Sequence, residues 1–254
     1  MTSRFSGRTA LVTGAGTGIG RATALAFAAE GAQVVVAGRR PEPLDETVRL
    51  IEEHGGKALA VTADVSRPAD AQALVRAAVD RFGSLDVAVN NAGVFRGGRP
   101  LTELSEEDWR TQLDINVTAV FLALRAQVRQ MRTQPSGGAI VNIASNLGIH
   151  TRRPGVAAYA ASKAAVTALS RAAALDHIRD GVRINVVSPG ATATAMSLRP
   201  GETEADRVER VKGELPLGRI SATEETAAAV LYLASADAAS VVGTDLVVDS
   251  GGSL

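Results

Sequence analysis

Tyr159 and Lys163 stand four residues apart in the stretch YAASK, whose other members are small. On a helix, positions i and i+4 share a face with Cβ atoms about 5–6 Å apart, so the phenol and the ammonium can address one point. That pairing suits proton transfer by a tuned acid. A phenol with an ordinary pKa of about 10 holds its proton too tightly for reversible exchange at neutral pH. A cation at ~4 Å, in an effective dielectric near ~20, favours the phenolate by ~4 kcal/mol, or ~3 pH units, before lysine desolvation reduces the effect.

A second candidate is Ser145, just past the β-branched run AIVNI at 139–143. Doubly wound folds hold ligands at the carboxyl ends of their parallel strands, so this hydroxyl can meet a reacting oxygen beside Tyr159. A third is the stretch TGAGTGIG, with Gly14, Gly16, Gly18 and Gly20 between the first strand and a helix starting near Ile19. Residues without side chains let backbone N–H groups approach a pyrophosphate, and the helix N-terminus adds roughly half a positive charge. The G-x-G-x-x-G fingerprint is not met, because its third glycine falls on Ile19 or Arg21.

The elements that must position these residues alternate along the chain. Apolar, β-branched runs lie at 9–13, 33–37, 57–62, 86–90, 139–143, 183–187 and 245–249, with helix-period segments at about 19–30, 43–54, 68–82, 105–131, 156–180 and 223–234. Continuous apolar strands are those covered on both faces. The pattern predicts an α/β, doubly wound Rossmann fold: one seven-stranded parallel sheet with helices on both faces, in a single domain spanning 1–254. The stretch at about 194–220 breaks the rhythm with prolines, glycines and charges, and is expected to be a lid over a ligand. Its alternative is a solvated excursion with a short charged helix at about 203–213.

Composition narrows the function. Lys plus Arg and Asp plus Glu both number 27, for zero net charge, which lacks the basic excess of a nucleic-acid binder. With no cysteine, disulfides, thiolate catalysis and cysteine metal sites are excluded, and no metal is expected. The N-terminus lacks a signal peptide's apolar segment, and no run approaches the ~18 apolar residues of a membrane span. A soluble, cytoplasmic protein is expected. A Ser-His-Asp hydrolase would need a histidine near Ser145, and of His54, His150 and His177 only His150 is placed to face the cleft.

Taken together, TGAGTGIG, the NNAG at 90–93, Asn116, Ser145 and the Tyr159/Lys163 pair resemble the short-chain dehydrogenase/reductase family, over nearly the whole chain. That family's turn is T-G-x-x-x-G-x-G, which accounts for the mismatch above. The resemblance implies a tetrad in which Tyr159 is the general acid/base, Ser145 orients the reacting oxygen, Lys163 also bonds the nicotinamide ribose, and Asn116 binds a relay water. It implies dinucleotide contacts from Gly14, Thr17, Gly18, Ile19 and Gly20, from Asp64 and Val65 at the adenine, and from Asn91, Ala92 and Gly93. The segment SPGATATAM places Pro189, Gly190, Thr192 and Thr194 near the carboxamide, with Thr192 standing where the family more often has a branched apolar residue. Members are typically tetramers, and a homotetramer is expected here, with a dimer second.

NAD enzymes of this architecture place Asp or Glu at the end of the second strand to bind the ribose 2′-hydroxyl. Here Gly38 holds that place and Arg39 and Arg40 follow, so the sequence predicts NADP(H), with NAD second. Arg96, Arg99, His150, Arg152 and Arg153 on flanking loops suggest an anionic substrate, such as a 3-oxoacyl thioester of a phosphopantetheine carrier. That would put the chain among 3-oxoacyl-carrier reductases, the commonest such members. Sugar and steroid dehydrogenases are the alternatives within the family. A non-catalytic dinucleotide sensor is the alternative outside catalysis, and the intact tetrad argues against it.

Overall fold

The computed structural model describes residues 3–199 and 201–254; Pro200, inside the expected lid, lies outside them. Seven strands, β1 (Thr9–Thr13), β2 (Gln33–Gly38), β3 (Lys57–Thr62), β4 (Val87–Asn90), β5 (Gly138–Ile143), β6 (Val182–Pro189) and β7 (Asp245–Val248), form one sheet in the order β3-β2-β1-β4-β5-β6-β7. All pairings are parallel, and Val12 sits between Val36 of β2 and Val89 of β4. The order reverses between β1 and β4, which opens the ligand-binding crevice at the strands' carboxyl ends.

Alternation along each strand feeds two cores. Val12, Val34, Val36, Val89 and Val141 pack with Phe27, Leu44, Ile51, Val230 and Leu233 from α1 (Gly18–Ala29), α2 (Pro41–Glu53) and α8 (Thr223–Ala234). Leu11, Val35, Ala88, Ile140 and Val186 face the other way, against Leu74, Val120, Leu124, Val128 and Val166 of α3 (Pro68–Phe82), α5 (Ala119–Met131) and α6 (Ala157–His177). Each such side chain, fully buried, stabilises the fold by roughly 1.5–3 kcal/mol before entropy is counted. Pro41 and Pro68 open α2 and α3, where a missing N–H leaves nothing unpaired.

Within the second core runs a polar ladder. Asn90 Nδ2 donates to Asn142 Oδ1 (2.8 Å) and Gln127 Oε1 (3.0 Å), Gln127 Nε2 returns a bond to Asn90 Oδ1, and Asn142 Nδ2 reaches Ser170 Oγ. Buried amides without partners would be costly, so the ladder fixes β4, β5, α5 and α6 in one register.

The helix expected at 105–131 is divided. It comprises α4 (Glu106–Leu113), a π turn at Asp114–Thr118 and α5. The segment at 194–220 holds a 3₁₀ turn at Ala195–Ser197 and α7 (Glu204–Glu214), whose Thr203 and Asp206 form a capping box. Among the described residues no helix is long and apolar enough to cross a membrane, and no metal-ligating cluster occurs.

Candidate active site

The glycine turn leaves β1 with Gly14 at φ 65° and Gly18 at φ 54°, conformations open to glycine at little cost. A Cβ on Gly20 would stand 2.2 Å from Gly14 O, and one on Gly16 would stand 2.9 Å from Pro43 Cβ. Thr17 caps α1 with extended backbone but no side-chain bond, and the first turn, including Ile19, carries no acid. Its N–H groups are thus left for an anion, and the residues fit a dinucleotide's pyrophosphate.

Thr13 organises the neighbouring loop. Its Oγ1 accepts from the N–H groups of Asn91 and Ala92, both at 3.1 Å, while Asn91 Nδ2 donates to Thr13 O at 2.9 Å. Gly93 lies against the tetrad, since a Cβ there would stand 3.2 Å from Asn116 Oδ1 and 3.4 Å from Lys163 Nζ. At the other end of the crevice Arg39 and Arg40 are exposed beyond β2. Asp64 Oδ1 accepts from Ser66 N (3.0 Å) and Ser66 Oγ (2.7 Å); these bonds hold its carboxyl below the usual range, helped by the charges of Arg39 and Arg67. Val65 lines a small pocket with Thr13, Asn90 and Ala92.

Ser145, Tyr159 and Lys163 meet behind this turn, all buried. Ser145 Oγ accepts from Leu147 N at 3.2 Å and donates to Pro189 O at 3.5 Å. Burial pushes the Tyr159 phenol up, and the neighbouring Ser145 hydroxyl opposes that shift. Lys163 Nζ donates to Ile143 O at 2.9 Å and lies 5.8 Å from the Tyr159 ring centroid; burial lowers its pKa to about 8. The expected depression of the phenol by Lys163 therefore does not dominate here, because both groups are desolvated and the ammonium is turned to a carbonyl. A phenol with its proton retained, beside a serine hydroxyl, is the form that donates to a carbonyl oxygen.

Asn116 sits in the π turn, fully buried. Its Oδ1 accepts from Val94 N (2.8 Å), and its Nδ2 donates to Val94 O (2.9 Å) and Ser162 Oγ (3.0 Å). Ser162 Oγ in turn donates to Tyr159 O at 2.7 Å. The side chain is thus committed to protein partners. Single-turn π bulges cluster at functional sites.

The segment after β6 closes the crevice. Gly190 packs so tightly on Asp249 that a Cβ would stand 2.4 Å from Asp249 Cβ, and Pro189 O is 3.5 Å from Ser145 Oγ. Thr192 is buried, with Oγ1 donating to Gly190 O at 3.1 Å. Thr194 Cγ2 lies 3.0 Å from where a Gly18 Cβ would stand, so this segment reaches the start of α1.

Sequence reasoning missed several residues. Thr13, Ser162 and Gln112, which clasps both N and O of Arg96, act through long-range hydrogen bonds that leave no local pattern. Phe95 was also missed: its ring meets Tyr159 edge-on, with centroids 5.1 Å apart. His150 does not reach Ser145; its Nε2 pairs with Asp245 Oδ2 at 2.9 Å, which removes the histidine a hydrolase would need.

The sequence profile of the family described as Enoyl-(Acyl carrier protein) reductase matches residues 14–253. The chain is 41% identical over 249 residues to the cyclohexanol dehydrogenase of Acinetobacter sp. (strain SE19), covering 98% of this chain and 96% of that one. It is 38% identical to the 3beta-hydroxysteroid dehydrogenase of Mediterraneibacter gnavus (strain ATCC 29149 / DSM 114966 / JCM 6515 / VPI C7-9), covering 98% and 95%. The crystal structure of a short-chain type dehydrogenase/reductase from Mycobacterium marinum superposes with a TM-score of 0.92 at 38% identity, covering 99% of this chain and 97% of that one. With the glycine turn, the buried serine, tyrosine and lysine, and these likenesses over its full length, the chain belongs to the short-chain dehydrogenase/reductase family, oxidoreductases acting on CH–OH and C=O groups.

Proposed function

We propose that the protein interconverts a secondary alcohol and its ketone with NADP(H), and that Tyr159 transfers the proton. The carrying observation is the joint burial of Ser145, Tyr159 and Lys163, with the Ser145 hydroxyl beside the phenol, between the glycine turn and the 189–194 segment. The bound dinucleotide supplies or accepts the hydride. In reduction, Ser145 and Tyr159 hold the ketone oxygen by hydrogen bonds, and Tyr159 releases its proton to that oxygen as negative charge develops. Lys163, protonated below its pKa of about 8, stabilises the phenolate left behind. Because the Asn116 side chain is spent on Val94 and Ser162, a relay water would bind main-chain carbonyls of the π turn. The choice of NADP(H) rests on Arg39 and Arg40, exposed where a ribose 2′-phosphate would lie and with no carboxylate between them and Gly38.

For the substrate, the geometry favours an uncharged carbocyclic alcohol or ketone. Phe95 presents an apolar wall to the acid, and two relatives are named for cyclohexanol and a steroid. Two of the five cations of the proposed anionic pocket are otherwise engaged: His150 binds Asp245, and Arg96 Nε lies 3.8 Å from Asp108. Arg99, Arg152 and Arg153 stay exposed and keep the 3-oxoacyl thioester as the second reading. Turnover followed by nicotinamide absorbance, with both dinucleotides and both substrate classes, tests the proposal.

Assembly as a homotetramer is part of the same reading. Asp114, Phe121, Arg125 and Arg129 form one exposed stripe along α4–α5. Two such helices paired antiparallel about Phe121 set the acid of each against the arginines of the other. Leu175 and Tyr232 leave apolar surface on α6 and α8 for a second interface. The proposed compartment is the cytoplasm, where reduced dinucleotide is held.

A further inference from the structure

Arg207, in the second turn of α7, has a side chain only 4% exposed. Its Nη1 donates to Thr194 O at 3.0 Å and to Ser197 Oγ at 2.9 Å. Its one carboxylate contact is Glu204, at 3.4 Å from Nη2 and itself 82% exposed, and its buried Nε has no acceptor. An arginine that only decorated the surface would keep its head in water. This one gives up hydration, and leaves one donor unpaired, to hold a single carbonyl. That carbonyl is heavily used, since Thr194 O also accepts from Ser197 N (3.1 Å) and Ser197 Oγ (2.9 Å).

Thr194 is the residue whose Cγ2 abuts Gly18, the first residue of α1. A chain of direct contacts therefore runs from α7 through Arg207 to Thr194 and on to the phosphate-binding turn. Arg210 adds a second fastening, with Nη2 donating to Ser197 O at 3.3 Å while Glu202 holds the same guanidinium. Val211 is the buried apolar anchor of the helix. Fixing α7 thus fixes Thr194, and moving α7 moves the wall that faces Gly18.

We propose that Arg207 is a positioning residue that couples α7 to dinucleotide retention: its bond to Thr194 O keeps the 194–197 turn closed over the cofactor, and its loss speeds cofactor release. The proposal rests on the reading that Gly18 and Thr194 enclose a bound dinucleotide, and it adds which residue sets how long the dinucleotide stays. It follows that α7, which carries no group of the tetrad, influences turnover wherever product cofactor release is slow.

The test is stopped-flow displacement of NADPH, and separately of NADH, from the full-length wild type and from Arg207→Met, Arg207→Lys, Ser197→Ala and Lys212→Gln. The expected result is a dissociation rate raised about tenfold in Arg207→Met and about threefold in Ser197→Ala, with Arg207→Lys between wild type and Arg207→Met. Lys212→Gln, which breaks an exposed pair on the outer face of α7, stays within twofold. Hydride transfer in a single turnover from the preformed binary complex stays within twofold in every variant. If Arg207→Met does not fold, Ser197→Ala and Arg207→Lys decide the matter. Dissociation rates within twofold of wild type in the folded variants, with only the melting temperature lowered, would make Arg207 a structural residue and overturn the coupling. A wild type that binds neither dinucleotide would instead overturn the functional reading on which the coupling rests.

Discussion

Lys163 Nζ donates its hydrogen bond to Ile143 O, 2.9 Å away, rather than to Tyr159, whose ring centroid is 5.8 Å distant. The lysine is thus a buried cation held beside the phenol by the end of β5, and its influence on Tyr159 is through space.

The same burial sets a stability prediction. The folded pKa of Lys163, about 8, lies below its ordinary 10.5, so the unfolded chain binds this proton more tightly. The penalty is complete below about pH 8 and fades as pH rises toward the ordinary value. Lys163→Met removes it while losing the bond to Ile143 O, and is expected to stabilise the protein by about 1–2 kcal/mol at neutral pH while abolishing turnover. Urea unfolding at neutral pH and near pH 10 checks this, the gain shrinking at the higher pH.

On the proposed mechanism, ketone reduction needs both the Tyr159 proton and the Lys163 charge. Its rate from the preformed complex should be level at neutral pH and fall as Lys163 deprotonates above about 8. Burial keeps the Tyr159 proton in place over that range, so the fall reports the lysine. A pH profile of single-turnover reduction reads it directly.

Replacing Arg39 and Arg40 together by alanine should weaken NADPH about 10–100-fold, the equivalent of one or two charge-assisted bonds, and change NADH affinity less than threefold. Titration of dinucleotide fluorescence gives both constants. Equal losses for the two cofactors would assign these arginines to general electrostatics.

Gly20→Ala places a methyl 2.2 Å from Gly14 O, a backbone atom that cannot yield without unwinding the turn. It should destabilise the fold by about 1–3 kcal/mol and remove dinucleotide binding at concentrations that saturate the native chain. Thermal melting with and without NADPH measures both effects, since a lost ligand-induced shift marks the binding defect.

The strands could be read in the sequence because each is a short apolar run flanked by turn residues; six lie within one residue of their expected bounds, and β6 runs two residues further, to Pro189. The Gly14–Gly20 turn was legible for a different reason: its glycines recur at short spacing between a strand and a helix, although the atoms they make room for, on Pro43, Asn91 and Thr194, lie far along the chain. The π turn at Asp114–Thr118 was not, because a π bulge keeps the helical apolar pattern and differs only in one widened hydrogen-bonded turn. Nor was the fate of His150, whose partner Asp245 lies 95 residues on, at the start of β7. The 194–220 segment was visible as an irregularity, yet its tie through Arg207 to Thr194 depends on which face of α7 turns inward, and the charged sequence of that helix does not show it.

The most direct measurement is NADPH-dependent reduction of cyclohexanone by the native chain and by Tyr159→Phe, with NADPH binding measured in parallel. The account predicts that the variant binds NADPH within twofold of native and loses turnover by about 10³-fold, the share of a general acid. Undiminished reduction by Tyr159→Phe would contradict it.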